Sequence, residues 1–311
     1  MPLWCLGAQR KGMVINMKKS YSGLIAALVT PYTISGAVNY HELKKLVRHL
    51  IKKNIDGFYV GGSTSEAFLL TQDERKNILE TVAEENNGEK LVVAHVGQIS
   101  TELASDLAIH AKSCGADAIS AISPFYYKFS VDEVIQYYFD IIESSEMPMF
   151  IYNFPALSGF SVTNDVLQRL RVNKNVVGVK FTSNDFFQME RMKNRNVDLT
   201  IWNGFDEMLL SGLAAGADGG VGSTYNCIPE LIQGIYHYFC IGNLEQAQKY
   251  QRLANNIIEV ICKHGVFESI KYILETDGFS FGNCRKPFAK ITEEGKVELR
   301  QVIADTYRQI E

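Results

Sequence analysis

The run Val176-Val177-Gly178-Val179-Lys180-Phe181-Thr182 reads as an almost wholly apolar, β-branched strand that closes on a lysine. The two parts of that reading conflict. Burying an ammonium group costs several kcal/mol unless it is paired or gives up its proton. A desolvated lysine titrates down toward neutrality, and the neutral amine is a nucleophile that forms Schiff bases with carbonyl compounds. The competing reading is a lysine at a strand mouth whose head reaches water along its aliphatic stem. The sequence on either side chooses between them.

Seven similar runs occur: Leu24–Val29, Gly57–Val60, Leu91–Val96, Ala118–Ile122, Met149–Tyr152, Leu199–Trp202 and Gly219–Gly222. Helical patterns fill several of the gaps. The clearest is His41–Lys53, with Leu43, Leu46, Val47, Leu50 and Ile51 on one face. Glu102–Cys114 and Asp132–Glu143 also read as helices. Eight short strands alternating with helices predict an α/β fold, a (β/α)8 barrel, with an open doubly wound sheet as the alternative.

After Tyr225 the strand rhythm stops, and Pro229–Phe239, Leu244–His264, Val266–Leu274 and Glu293–Ile310 read as helices. The expected organisation is a barrel over 17–225 and a helical C-terminal extension over 226–311 packed on it. Residues 1–16 read as a disordered or misassigned extension, with Met17-Lys18-Lys19 as an alternative start.

The 311 residues are 46% hydrophobic and 21% charged, ordinary for a globular chain, and α/β barrels of this size form one unit. With 31 basic and 35 acidic residues and no basic stripe, there is no electrostatic footprint for nucleic acid. No apolar run approaches the roughly 18 residues of a membrane span. Cys5, Cys114, Cys227, Cys240, Cys262 and Cys284 form no Cys-x-x-Cys pair. They suggest free thiols in a reducing, cytoplasmic setting.

In such a barrel the active site lies at the C-terminal ends of the strands. The residues there are Gly61-Gly62-Ser63-Thr64-Ser65-Glu66, Tyr152-Asn153, Lys180-Phe181-Thr182, Asn203-Gly204-Phe205-Asp206-Glu207 and Gly222-Ser223-Thr224. Ser63 and Thr64 with nearby backbone N–H groups suit an anion, although Glu66 also gives near capping-box spacing, the commoner meaning. Tyr152 could pass a proton beside an imine-forming lysine, or be a core tyrosine with a satisfied hydroxyl. Asp206 and Glu207 could accept from a polyol, bind a metal, or cap a helix. No histidine cluster accompanies them, and His41-Glu42 fails as a zinc-helix motif because Lys45 stands at the second ligand position. The glycines of Gly216–Ser223 do not match a dinucleotide fingerprint and are better explained by close backbone approach at the last strand.

Taken in order, several motifs resemble those of N-acetylneuraminate lyases, the sialic acid aldolases of the dihydrodipicolinate synthase superfamily. They are Gly61-Gly62-Ser63-Thr64-x-Glu66, Ser123-Pro124-Phe125-Tyr126-Tyr127, Tyr152-Asn153-x-Pro155-Ala156-Leu157-Ser158-Gly159, Gly178–Thr182, Gly204–Glu207 and Gly219–Thr224. The resemblance spans about Tyr21 to the C-terminus. It implies a Schiff base at Lys180, with Tyr152 as the proton-relay residue. Ser63 and Thr64 would hold the α-keto-acid carboxylate. Thr182, Gly204, Asp206, Glu207 and Ser223 would bind the hydroxyl-bearing portion of the sugar. Tyr126 would enter the site of a neighbouring subunit in a homotetramer.

Dihydrodipicolinate synthases place an arginine shortly after the equivalent of Tyr152-Asn153, where this chain has Ala156-Leu157-Ser158-Gly159. The resemblance therefore favours a neutral polyhydroxylated substrate: reversible cleavage of N-acetylneuraminate to N-acetylmannosamine and pyruvate. The alternatives are another pyruvate-dependent keto-deoxy sugar acid aldolase or a non-catalytic binding homologue. Neither a cofactor nor a metal is called for, because an iminium ion does the polarising. The family usually has glycine where this chain has Ser65. A serine there would either strain a positive-φ backbone or narrow the carboxylate pocket.

Overall fold

The computed structural model describes residues 20–310. The expected extension over 1–16, the alternative start at Met17 and Cys5 lie outside the described residues. Eight parallel strands close into a barrel: β1 (Gly23–Ala27), β2 (Gly57–Val60), β3 (Leu91–His95), β4 (Ala118–Ile122), β5 (Met149–Asn153), β6 (Val176–Phe181), β7 (Thr200–Asn203) and β8 (Gly219–Gly222). Each pairs with its sequence neighbour, and β1 pairs with β8 through Gly23↔Gly219 and Ile25↔Val221. That last pairing excludes the open sheet. It needs glycine, since a Cβ on Gly219 would stand 1.9 Å from Gly23 O.

The connecting helices are α1 (Tyr40–Lys52), α2 (Gln72–Asn86), α3 (Thr101–Ser113), α4 (Val131–Ser145), α5 (Pro155–Ser158), α6 (Asn164–Leu170), α7 (Phe186–Arg195) and α8 (Leu209–Ala214). After β8 come α9 (Pro229–Cys240), α10 (Leu244–His264), α11 (Val266–Thr276) and α12 (Glu293–Tyr307). Most begin where a short polar side chain caps the first turn. Thr71 with Glu74 and Ser130 with Glu133 make reciprocal capping boxes for α2 and α4.

Side chains alternate across each strand, so the barrel has an inner and an outer core. The inner core contains Ile25, Tyr59, Val93, Phe150, Trp202 and Val221. Phe150 and Trp202 stack at 3.8 Å, and Phe150 fits because Gly178 has no side chain; a Cβ there would meet the Phe150 ring at 2.1 Å. The outer core joins the other strand faces to the helices, including Ile257, Ile261, Ile270 and Leu299 of the C-terminal helices.

The register of β6 places the site. Met149 pairs with Val176, but Phe150 pairs with Gly178, so β6 carries one extra residue at Val177. That bulge resets the alternation. Val179 and Phe181 join the outer core, and Lys180 lies on the opposite, inner face of the strand in register with Tyr152.

Candidate active site

A cavity of ≈340 Å³ opens at the C-terminal ends of the strands. Ser63, Thr64, Tyr152, Lys180, Thr182, Gly204, Asp206, Glu207 and Ser223 all line it. Among the described residues Lys180 is the one basic side chain in that lining. Tyr126 is elsewhere, 85% exposed in this chain, with φ +78° and its ring edge-on to Tyr127.

Lys180 is 5% exposed, and its Nζ lies 4.2 Å from the Tyr59 ring centroid and 4.3 Å from that of Tyr152. Burial lowers its pKa from the usual 10.5 to about 7, and Asp206 opposes the shift from a distance. Two ring faces solvate an ammonium far less well than water does, so the proton is held weakly. The Lys180 head is therefore buried and does not reach water, and near pH 7 a large share of it is the neutral amine.

Tyr59 and Tyr152 are themselves fixed from below. Tyr59 donates its hydroxyl to Ser120 Oγ at 3.0 Å, and Ser120 passes it on to Phe150 O at 2.9 Å. His95 stands at 5.9 Å from both rings, its Nδ1 on Gly61 O at 2.9 Å, and burial beside Arg75 holds it well below its ordinary pKa, hence neutral. Burial pushes the Tyr152 phenol up to about 12, with Ser63 and Thr182 offsetting part of the rise. Thr182 Oγ1 still meets no partner of proper hydrogen-bond geometry among the described residues, although it is buried at the cavity wall. An unpaired buried hydroxyl there is a free contact for a ligand.

Thr64 and Ser223 come from opposite sides of the barrel seam, and their hydroxyls touch at 2.6 Å. Ser63-Thr64-Ser65 form one turn of 3-10 helix with no side-chain cap, so the expected capping box is not made. Glu66 instead takes φ 58° and forms a buried ion pair with Lys271 of α11 at 2.7 Å. Its second oxygen accepts from Arg285 N at 2.7 Å. Ser65 does neither thing expected of it. It is not among the positive-φ residues and does not line the cavity. Its hydroxyl donates to Leu28 O at 2.6 Å and accepts from Gly61 N at 3.2 Å, tying β1 to the loop after β2.

Asp206 and Glu207 lie in a short 3-10 turn with no cap hydrogen bond, which sets aside the capping reading. Asp206 Oδ2 accepts from Thr224 N at 2.8 Å and Thr224 Oγ1 at 2.7 Å. Burial nevertheless raises its pKa to about 6, against those two hydrogen bonds. Gln251 and Asn255 of α10 hold the turn from outside by donating to Asp206 O and Glu207 O. Gly204 is required as well, since a Cβ would stand 1.9 Å from Thr182 Oγ1.

The sequence reading missed these supports and the apolar side of the cavity, where Phe154, Phe205, Ile258 and Phe267 lie. A signal for Gln251 and Asn255 existed: two amides at i, i+4 among the buried apolar residues of α10.

Residues 20–306 match a known family model, the dihydrodipicolinate synthetase family. The chain belongs to that family. Within it, the chain is 45% identical over 280 residues to N-acetylneuraminate lyase of Salmonella paratyphi B, covering 89% of this chain and 94% of that one. The structure of CdNal from Clostridium difficile in complex with mannosamine superposes with TM-score 0.90 at 35% identity, covering 92% of this chain and 99% of that one. A catalytic-lysine mutant of Ruminococcus gnavus sialic acid aldolase superposes with TM-score 0.90 at 31% identity, covering 93% and 97%. The closed eight-stranded barrel seen here superposes on both of those structures over most of its length.

Proposed function

We propose that this chain is a class I aldolase that reversibly cleaves N-acetylneuraminate to N-acetylmannosamine and pyruvate. The observation that carries the reading is Lys180, buried on two tyrosine rings in the cavity and poised to be neutral near pH 7. Its relatives include an N-acetylneuraminate lyase and a sialic acid aldolase with a catalytic lysine.

Neutral Lys180 attacks the C2 ketone of the open-chain sugar. Water leaves, and the protonated imine becomes an electron sink. Tyr152 is protonated at neutral pH and so begins as a donor, aiding the departure of that water. It then helps to remove the C4 hydroxyl proton, directly or through the substrate carboxylate. The C3–C4 bond breaks, its electrons pass to the imine nitrogen, and N-acetylmannosamine departs from an enamine. Protonation at C3 and hydrolysis release pyruvate and restore the amine.

Ser63 and Thr64 hold the carboxylate. Thr182, Gly204, Asp206, Glu207 and Ser223 hold the hydroxyl-bearing tail. Asp206 and Glu207 suit neutral hydroxyl donors, and among the described residues no basic side chain other than Lys180 lines the cavity to take a second carboxylate. Tyr126 completes the site of a neighbouring copy in a homotetramer, which fits its exposure here. The scattered cysteines, free where described, support a cytoplasmic enzyme. Among the described residues no helix is long and apolar enough to cross a membrane.

The test is incubation with pyruvate and borohydride, followed by peptide mass spectrometry. A reduced pyruvate adduct on Lys180 supports the chemistry. A folded sample with no adduct, or a Lys180→Ala variant with normal turnover, overturns it.

A further inference from the structure

Far from the substrate cavity, α2 and α3 pack side by side, and each turns a polar pair spaced i, i+4 toward the other. At the end of α3 the pair is His110 and the C-cap residue Cys114; on α2 it is Glu80 and Glu84, of which Glu84 also pairs with Lys44 of α1. His110 Nε2 lies 2.8 Å from Glu80 Oε1, and Cys114 Sγ lies 3.5 Å from the same nitrogen. One donor atom from each of Glu80, His110 and Cys114 falls within 4.8 Å of the others. We propose that Glu80, His110 and Cys114 form a surface site for a borderline-soft divalent cation of the zinc class, clamping α2 to α3.

The donor set argues for that class. An imidazole and a thiolate favour zinc or cobalt over magnesium or calcium, which need oxygen ligands. Ligands about 2.0–2.3 Å from a tetrahedral ion stand roughly 3.3–3.7 Å from one another. Cys114 Sγ lies 3.7 Å from His110 Nδ1 as well as 3.5 Å from Nε2, over the ring and off the Nε2 lone pair, so the imidazole must turn to aim that lone pair at an ion beside the sulfur, and the Glu80–His110 contact must open. A thiolate and a carboxylate also neutralise a dication. His110 and Cys114 are partly buried, so the site is sheltered on one side, while the exposed Glu80 leaves the other side open to solvent. A fourth position is left for water. Burial first, then Glu80 and Glu84, hold the Cys114 thiol above its usual range. A cation reverses the carboxylate contribution and displaces the proton to solvent as the metal–sulfur bond forms. The His110–Glu80 hydrogen bond is given up in exchange.

None of the three residues lines the substrate cavity, so the site is independent of the aldolase proposal. The test uses the full chain, reduced and freed of metal, titrated with Co2+ and then Zn2+. The expected result is stoichiometric Co2+ binding with a sulfur-to-metal charge-transfer absorption, displaced by Zn2+. His110→Ala and Cys114→Ser should each weaken Zn2+ binding at least about tenfold and abolish the absorption. Cys262→Ser, which removes an exposed thiol elsewhere, should change neither. Zn2+ should also raise the unfolding temperature of the wild type and not of Cys114→Ser. An absent absorption, or one that survives in Cys114→Ser or vanishes in Cys262→Ser, overturns the proposal. The thermal readout on each folded variant separates lost binding from lost structure.

Discussion

Gly222 makes the space that the Asp206 carboxylate occupies: a Cβ built on Gly222 would stand 2.2 Å from Asp206 Oδ1 and 2.3 Å from the Tyr225 ring. Tyr225 is fully buried and Asp206 is tethered to Thr224, so neither can yield cheaply. Gly222→Ala should therefore displace the carboxylate without touching Lys180. We expect KM for N-acetylneuraminate to rise about tenfold or more, the loss of one charge-assisted hydrogen bond. Borohydride trapping of pyruvate on Lys180 should persist. Loss of trapping in a folded Gly222→Ala protein would show that the strand end positions the lysine as well.

The pH dependence follows from the two buried ionisable groups. Lys180 must be neutral to attack, and its pKa is about 7. In the free enzyme, kcat/KM should rise with pH through that value and fall about tenfold per pH unit on the acid side. Asp206 raises the Lys180 pKa, so Asp206→Asn should move the acid limb to lower pH even as substrate affinity drops. Profile shape separates the two effects. A limb that stays fixed or moves upward would break the electrostatic link.

Burying that lysine costs stability. Its folded pKa lies below its unfolded value, so the unfolded chain binds the extra proton between about pH 7 and 10.5. The destabilisation is full below pH 7, shrinks as pH rises and is gone above 10.5. Lys180→Met should therefore be inactive yet more stable at pH 7, by on the order of a few kcal/mol. Urea unfolding at pH 7 and pH 10 checks both the sign and its decline.

The barrel was legible because eight short apolar runs alternating with helical patterns leave few alternatives, and Lys180 and Tyr152 were legible because each is a polar ending on an apolar strand. The failures are equally specific. Glu66 carries a local spacing that mimics a capping box, whereas its real partner is 205 positions away. Ser65 looks like a misfit until Leu28 O and Gly61 N are brought to its hydroxyl. The apolar side of the cavity, from α10 and the start of α11, depends on how those helices dock, which no local pattern encodes.

The Glu66–Lys271 pair offers the sharpest test of that long-range link. Both side chains are essentially excluded from solvent, and Lys271 Nζ also rests 4.3 Å from the Tyr32 ring centroid. The pair fastens α11 to the loop that carries Ser63 and Thr64. Lys271→Met leaves Glu66 buried without its cation, still accepting from Arg285 N, and should cost about 3–5 kcal/mol. The double variant Glu66→Gln/Lys271→Met should recover much of that loss, since replacing both charges removes the uncompensated one. If the pair also sets the loop, both variants should raise KM for pyruvate in the synthetic direction more than they lower kcat. Equal stability loss in the single and double variants would mean that packing, and not the charge, holds α11 to the barrel.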